Sequence, residues 1–247
     1  MMLTDKQAIV YGAAGPIGSA VAKRFAAEGA TVHLAGRTAE RLEKVADEIR
    51  AAGGTAEVAV VDALDEKSVD EHAEAVGRID VSFNLIGHQQ FFGTPLVEMP
   101  LADFEQPITT MVRTFYLTSR AAARRMIPQG SGVILTFGGN GDPTANLGGF
   151  QIGFGAVEAL RRSLALELGQ HGIRVVTLQT NGIPEALPDD FPEKAANAIA
   201  KQTAGSTMLN RAATLSDVGA VAAFAASDLA SSVTGTALNL TAGAVVN

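Results

Sequence analysis

Short apolar runs alternate with longer amphipathic segments along almost the whole chain. Residues 8–11 form an apolar run that ends in Gly12, and after a glycine turn residues 17–28 carry helix-forming side chains until Gly29 stops them. The same reading predicts strands at 31–35, 57–61, 81–86, 133–137, 174–178 and 237–240, and helices at 40–50, near 104–126, at 156–170 and at 217–227. Strands separated by such helices require right-handed crossovers, and these build a parallel sheet covered on both faces. The expected fold is α/β, a doubly wound parallel sheet, with residues 1–247 forming one domain and no internal repeat. Residues 184–206 depart from the alternation: Pro, Asp and Gly cluster there around a short helical stretch at 193–201. Ligands of such sheets bind at the carboxyl ends of the strands, where this segment is placed to act as a lid.

Composition narrows the function more than the fold. Hydrophobic residues at 47% against 18% charged describe a packed core, and 247 residues suffice for one. A net charge of −7 offers no clustered positive surface for phosphates, so nucleic acid is not expected and a small-molecule substrate is. The chain has no cysteine, which removes disulfides, thiolate metal sites and cysteine nucleophiles and suits a cytoplasmic location. An apolar strand begins soon after Asp5 and Lys6, so no signal peptide is expected. The longest apolar stretch, 218–226, is about half the length of a bilayer-spanning helix, so no membrane association is expected. His33, His72, His88 and His171 lack ligand spacing, and no metal site is expected.

One glycine pattern sits where glycines carry physical meaning. Gly12-Ala13-Ala14-Gly15-Pro16-Ile17-Gly18 follows the first strand and opens the first helix. Glycine permits the tight turn and a close backbone approach, and the helix start offers free N–H groups and a positive dipole end to a pyrophosphate. Gly36-Arg37 follows the second strand, where an NAD-selective fold presents an acid to the ribose hydroxyls. A guanidinium stands there instead, which suits a 2′-phosphate and favours NADP(H) over NAD(H).

Gly12, Gly15 and Gly18, Asp62, Asn84 and Gly87, Thr234-Gly235 and the stretch 156–168 together resemble, in order, the landmarks of the short-chain dehydrogenase/reductase family. The resemblance implies a Rossmann-type sheet, a nicotinamide dinucleotide and oxidoreductase activity. It places Asp62 at the adenine, residues 84–87 along the cofactor, and Asn181, Gly182 and Ile183 beside the nicotinamide. It also implies a homo-oligomer, commonly a tetramer, paired through the two helices that flank the fifth strand. Two positions depart from the family's commonest pattern: Pro16 stands where the middle glycine is usual, and Asn84-Leu85 replaces an asparagine pair. A proline in the first helical turn sacrifices no intrahelical hydrogen bond.

The family's catalytic set is a serine after the fifth strand, a tyrosine and a lysine four residues apart, and a supporting asparagine. Carried onto this chain, the tyrosine falls on Phe150, the lysine on Phe154, the serine on Gly138 or Gly139, and the asparagine on Thr110. A shift of register restores nothing, because the only tyrosines are Tyr11 and Tyr116 and no lysine lies between Lys67 and Lys194. The foremost replacement for the proton donor is His88, which follows Gly87 and belongs to the residue type most easily poised near neutral pH. Asn140, Asp142, Gln151, Arg113 and Glu185 are further polar candidates, each also readable as an ordinary loop or interface residue. Three readings follow: an NADP(H)-dependent oxidoreductase of a small carbonyl, alcohol or activated alkene; a non-redox enzyme of the same fold; and a non-catalytic protein that senses cofactor or supports a partner.

Overall fold

The computed structural model describes residues 1–87, 91–138, 144–188 and 190–246. Seven strands form one parallel sheet: β1 (Gln7–Tyr11), β2 (Thr31–Gly36), β3 (Thr55–Val60), β4 (Val81–Asn84), β5 (Gly132–Gly138), β6 (Ile173–Gln179) and β7 (Ala237–Asn239). Their spatial order is β3-β2-β1-β4-β5-β6-β7. The order therefore reverses between β1 and β4, and a crevice opens beyond the carboxyl ends of those two strands.

Among the described residues there are seven α-helices, α1 (Pro16–Ala27), α2 (Ala39–Ala51), α3 (Glu66–Val76), α4 (Leu101–Gln129), α5 (Gly149–Leu168), α6 (Glu193–Gly205) and α7 (Leu215–Ala226), and all but α6 bury residues against the sheet. Alternation along the strands divides the core between two faces. Ala8 and Val10 of β1, with Val176 and Leu178 of β6, join the cluster under α1, α2 and α7. Ile9, Tyr11, Ile173 and Val175 join the cluster under α3, α4 and α5. Among the described residues no helix is long and apolar enough to cross a membrane.

The sequence pattern locates every strand to within a few residues but overlooks α3. Asp65 caps that helix by accepting from the Lys67 N–H, and Val69, His72 and Ala73 form its buried stripe. Two other helices are longer than expected. α4 spans 29 residues despite Pro107 and Pro128. α5 begins at Gly149, seven residues before the expected 156, because Gly149 and Gly153 lie against α4. A Cβ on Gly149 would overlap the Phe104 carbonyl, and one on Gly153 would lie 2.7 Å from Met111 Sδ. These glycines lower intrinsic helix propensity, but they permit a close crossing that side chains would prevent.

Candidate functional site

The glycine turn divides its work among three residues. Gly12 has φ +78°, and a Cβ there would overlap the Leu85 carbonyl on the neighbouring strand end. Gly18 lies against Gly12, so its Cβ would overlap the Gly12 carbonyl. Both are required by the protein's own packing. Gly15 is different: it caps α1 with an extended φ of −80°, and a Cβ would meet only the Gly12 oxygen at 3.4 Å. No protein contact demands glycine at position 15, whereas a pyrophosphate approaching the helix start would. Ser19 N–H donates to the Gly15 carbonyl at 2.8 Å and begins the helical ladder. The Ile17 and Gly18 amides lie before that ladder, at the positive end of the helix dipole, and Pro16 has no N–H to waste. These features fit a dinucleotide's diphosphate.

The ends of β2 and β3 flank this turn. Arg37 is exposed directly after β2. Arg41, which sequence reasoning missed, donates from Nη2 to the Ala14 carbonyl at 3.3 Å and so joins α2 to the glycine turn. Its only signal was its place one helical turn beyond Arg37. Asp62 accepts the Leu64 N–H at 3.0 Å, and Arg113 of α4 donates from Nε to the Leu64 carbonyl at 2.8 Å. Arg113 thus pins the Asp62 loop. Asn84 is buried, donating to Thr118 Oγ1 at 3.2 Å and accepting from the Ile86 N–H at 3.1 Å, which shapes the turn that leads to Gly87.

Beyond that turn lies a cavity of about 790 Å³, within the range of small-molecule sites. Ile17, Asn84, Gly87, Phe150, Phe154 and Ile183 all reach it, so the structure unites the glycine turn with the positions to which the family resemblance assigns catalysis. Phe150 meets Phe154 edge to face with centroids 4.7 Å apart, and Phe92 meets Phe150 likewise at 5.4 Å. None of the described residues lining the cavity is Asp, Glu, His, Lys, Arg or Tyr.

Several sequence candidates stand elsewhere. Thr110 is buried, and its hydroxyl accepts from Gln106 Nε2 at 3.2 Å; Met111, the next residue, lines the cavity instead. Tyr11 is buried in the core beneath the sheet's end, where burial holds its phenol protonated far above the usual range. Tyr116 is exposed on α4, under the Arg120 guanidinium. Glu185 accepts the Leu215 N–H at 2.8 Å and so caps α7. Gln151 lines the cavity and accepts the Thr144 N–H at 3.0 Å. His88, Gly139, Asn140 and Asp142 lie outside the described residues.

The expected lid forms a wall. Pro184, Leu187, Pro188, Ile199 and Thr203 line the cavity, and α6, to which the last two belong, has no buried residue. Below Phe154 on α5, Glu158 accepts from the Thr177 hydroxyl and pairs with Arg161 Nη2 at 3.0 Å. Arg161 is buried and Glu158 partly so, and Arg161 Nη1 has no hydrogen-bond partner.

Comparison with known proteins agrees with this geometry. The family model described as enoyl-(acyl carrier protein) reductase matches residues 12–244. The uncharacterized oxidoreductase YxbG of Bacillus subtilis is 31% identical over 242 residues, covering 94% of this chain and 88% of that protein. The meso-2,3-butanediol dehydrogenase of Serratia marcescens is 31% identical over 265 residues, covering 100% of this chain and 97% of that one. Among solved structures, an NAD+-bound xylitol dehydrogenase superposes with a TM-score of 0.88 at 27% identity, over 98% of this chain and 100% of that chain. With its glycine turn, its reversed strand order and relatives of this kind, the chain belongs to the short-chain dehydrogenase/reductase family of oxidoreductases.

Proposed function

We propose that the protein is an NADP(H)-dependent short-chain oxidoreductase of a small carbonyl, alcohol or activated alkene, with weak or atypical catalysis. The atypical part follows from Thr110, Gly139, Phe150 and Phe154, which do not supply the family's acid–base groups. The observation that carries the cofactor reading is Gly15: packing explains Gly12 and Gly18, whereas a Cβ on Gly15 would meet only the Gly12 oxygen at 3.4 Å, which leaves the helix start open to a pyrophosphate.

In this reading Gly12, Gly15, Pro16, Ile17 and Gly18 cradle the pyrophosphate. Arg37 pairs with the 2′-phosphate, Asp62 meets the adenine, Asn84 and Gly87 lie along the cofactor, and Ile183 packs beside the nicotinamide. The bound cofactor supplies or accepts a hydride. The apolar walls exclude water and orient the acceptor, and residues 184–206 act as the lid. We assign His88 as the side chain that delivers a proton where the substrate needs one. The chain without cysteines supports a cytoplasmic location, and the family resemblance supports a homo-oligomer paired through α4 and α5.

Calorimetric titration of NADPH and NADH tests the cofactor assignment. A charge-assisted contact of about 1.5–3 kcal/mol gives NADPH a preference of roughly tenfold or more, and Arg37→Ala should abolish it. Equal affinities, or a preference that survives the substitution, would refute the assignment. A second reading, a cofactor-responsive protein without turnover, is favoured by the absence of charge among the described lining residues of the cavity.

A further inference from the structure

The walls of the cavity are aromatic where the family's acid–base pair would stand. Phe92, Phe150 and Phe154 form a continuous edge-to-face series, and Phe137, Met111 and Leu147 extend it. The polar groups between them are neutral: the Thr136 and Thr180 hydroxyls and the Asn181 and Gln151 amides. A phosphate, carboxylate or ammonium would meet no countercharge among the described lining residues and would lose its hydration uncompensated. A polyol would bury hydroxyls against rings. A flat, uncharged ring instead offers its faces and edges to the phenyl quadrupoles, and its oxygens to the hydroxyls and amides.

The chemistry narrows this class further. Reduction of a simple ketone leaves a strongly basic alkoxide, so the reaction needs a positioned acid. Reduction of a quinone leaves a phenolate, whose conjugate acid is about as weak as the tyrosine phenol, with a pKa of about 10. Bulk water can protonate that product after the transfer. We propose that this cavity binds and reduces a planar, uncharged quinone, an inference that rests on the NADP(H)-dependent function proposed above. In the balanced reaction the quinone gains two electrons and one proton as a hydride equivalent, and the reduced nicotinamide dinucleotide is oxidised by two electrons. A proton from water then completes the hydroquinone.

Binding and turnover are tested separately. Equilibrium dialysis of the cofactor-free and NADPH-loaded protein compares a methylnaphthoquinone with an acyclic ketone of equal carbon number. The quinone should bind at least about tenfold more tightly, and Phe150→Ser should remove about that factor. Phe92→Ser, at a half-exposed ring, serves if the first variant melts early. With NADPH loaded, the quinone should be reduced in one turnover at a rate that stays flat across the range in which imidazole titrates. A quinone bound no better than the ketone, or bound equally well without the phenyl rings, would overturn the inference even if NADPH binds. A reduction rate that tracks an imidazole titration would do the same. If NADPH does not bind, the proposed function fails, and quinone dialysis alone still decides what the cavity recognises.

Discussion

The ring of Phe154 lies over Gly138 at the end of β5, where an added Cβ would sit 3.7 Å from Phe154 Cδ1 and 3.2 Å from Thr177 Cγ2. At 3.7 Å an added Cβ would be in ordinary van der Waals contact with the ring, so the strand end and the helix form one packed unit around Gly138 and Phe154. Phe150 then closes edge-on against Phe154, and the cavity floor becomes apolar.

That unit predicts what restoring the polar pair would do. Phe150→Tyr with Phe154→Lys should raise ketone reduction by roughly 10² to 10⁴, the usual worth of a positioned general acid. Either change alone should do little, because such groups act together. Steady-state rates with NADPH, alongside thermal melting, check this. A folded, cofactor-binding double variant with no gain would show that the cavity has been reshaped beyond these two side chains.

The glycine turn yields a contrast between two neighbouring positions. Gly18→Ala should destabilise the fold by about 1–3 kcal/mol, since the new methyl overlaps the Gly12 carbonyl. Gly15→Ala should leave the melting temperature nearly unchanged and weaken NADPH binding. Melting and cofactor titration of both variants separate packing from ligand approach. Unaltered NADPH affinity in Gly15→Ala would count against the diphosphate site.

Much of this was legible in the chain. Gly12, Gly15 and Gly18 after an apolar run carried the glycine turn, and the strand and helix periods carried the sheet. The pattern failed where tertiary contacts outweigh local preference. Gly149 and Gly153 lie before the helix expected at 156–170, yet they start α5 because only glycine fits beside Phe104 and Met111. Thr110 and Met111 could not be told apart, because one residue of helical phase, about 100°, decides which of them faces the cavity. Arg41 and Arg113 showed no motif, since their work is done on backbone carbonyls distant in sequence.

Stability should depend on pH through two buried histidines on β2 and α3. Burial, then the charge of His33, pushes His72 down to about 4. Burial lowers His33 as well, partly offset by Glu57. In the unfolded chain both titrate near about 6.5, so between those values the unfolded state binds more protons. The stabilisation is therefore complete above about pH 6.5 and is lost as the pH falls toward about 4, with His72 contributing up to about 3 kcal/mol. Denaturation midpoints across that range should fall with acidity, and His72→Gln should flatten the slope. A midpoint that rises on acidification would contradict the assignment.

The Glu158–Arg161 pair makes a fourth expectation. Glu158→Gln leaves the Arg161 guanidinium buried without its carboxylate and should cost about 3–5 kcal/mol. Replacing both residues by methionine should cost far less. Chemical denaturation of the two variants measures the difference, and equal losses would mean that the charge is compensated elsewhere.

Held against a cavity whose described lining residues are uncharged, a reduced nicotinamide should pass its hydride onward. Rapid mixing of NADPH-loaded protein with activated carbonyl acceptors, followed through the loss of NADPH absorbance, tests it most directly. One full turnover is expected, faster than in a protein-free control and fastest with a quinone. Bound NADPH that stays reduced with every acceptor would contradict it, and the cofactor-responsive reading would take its place.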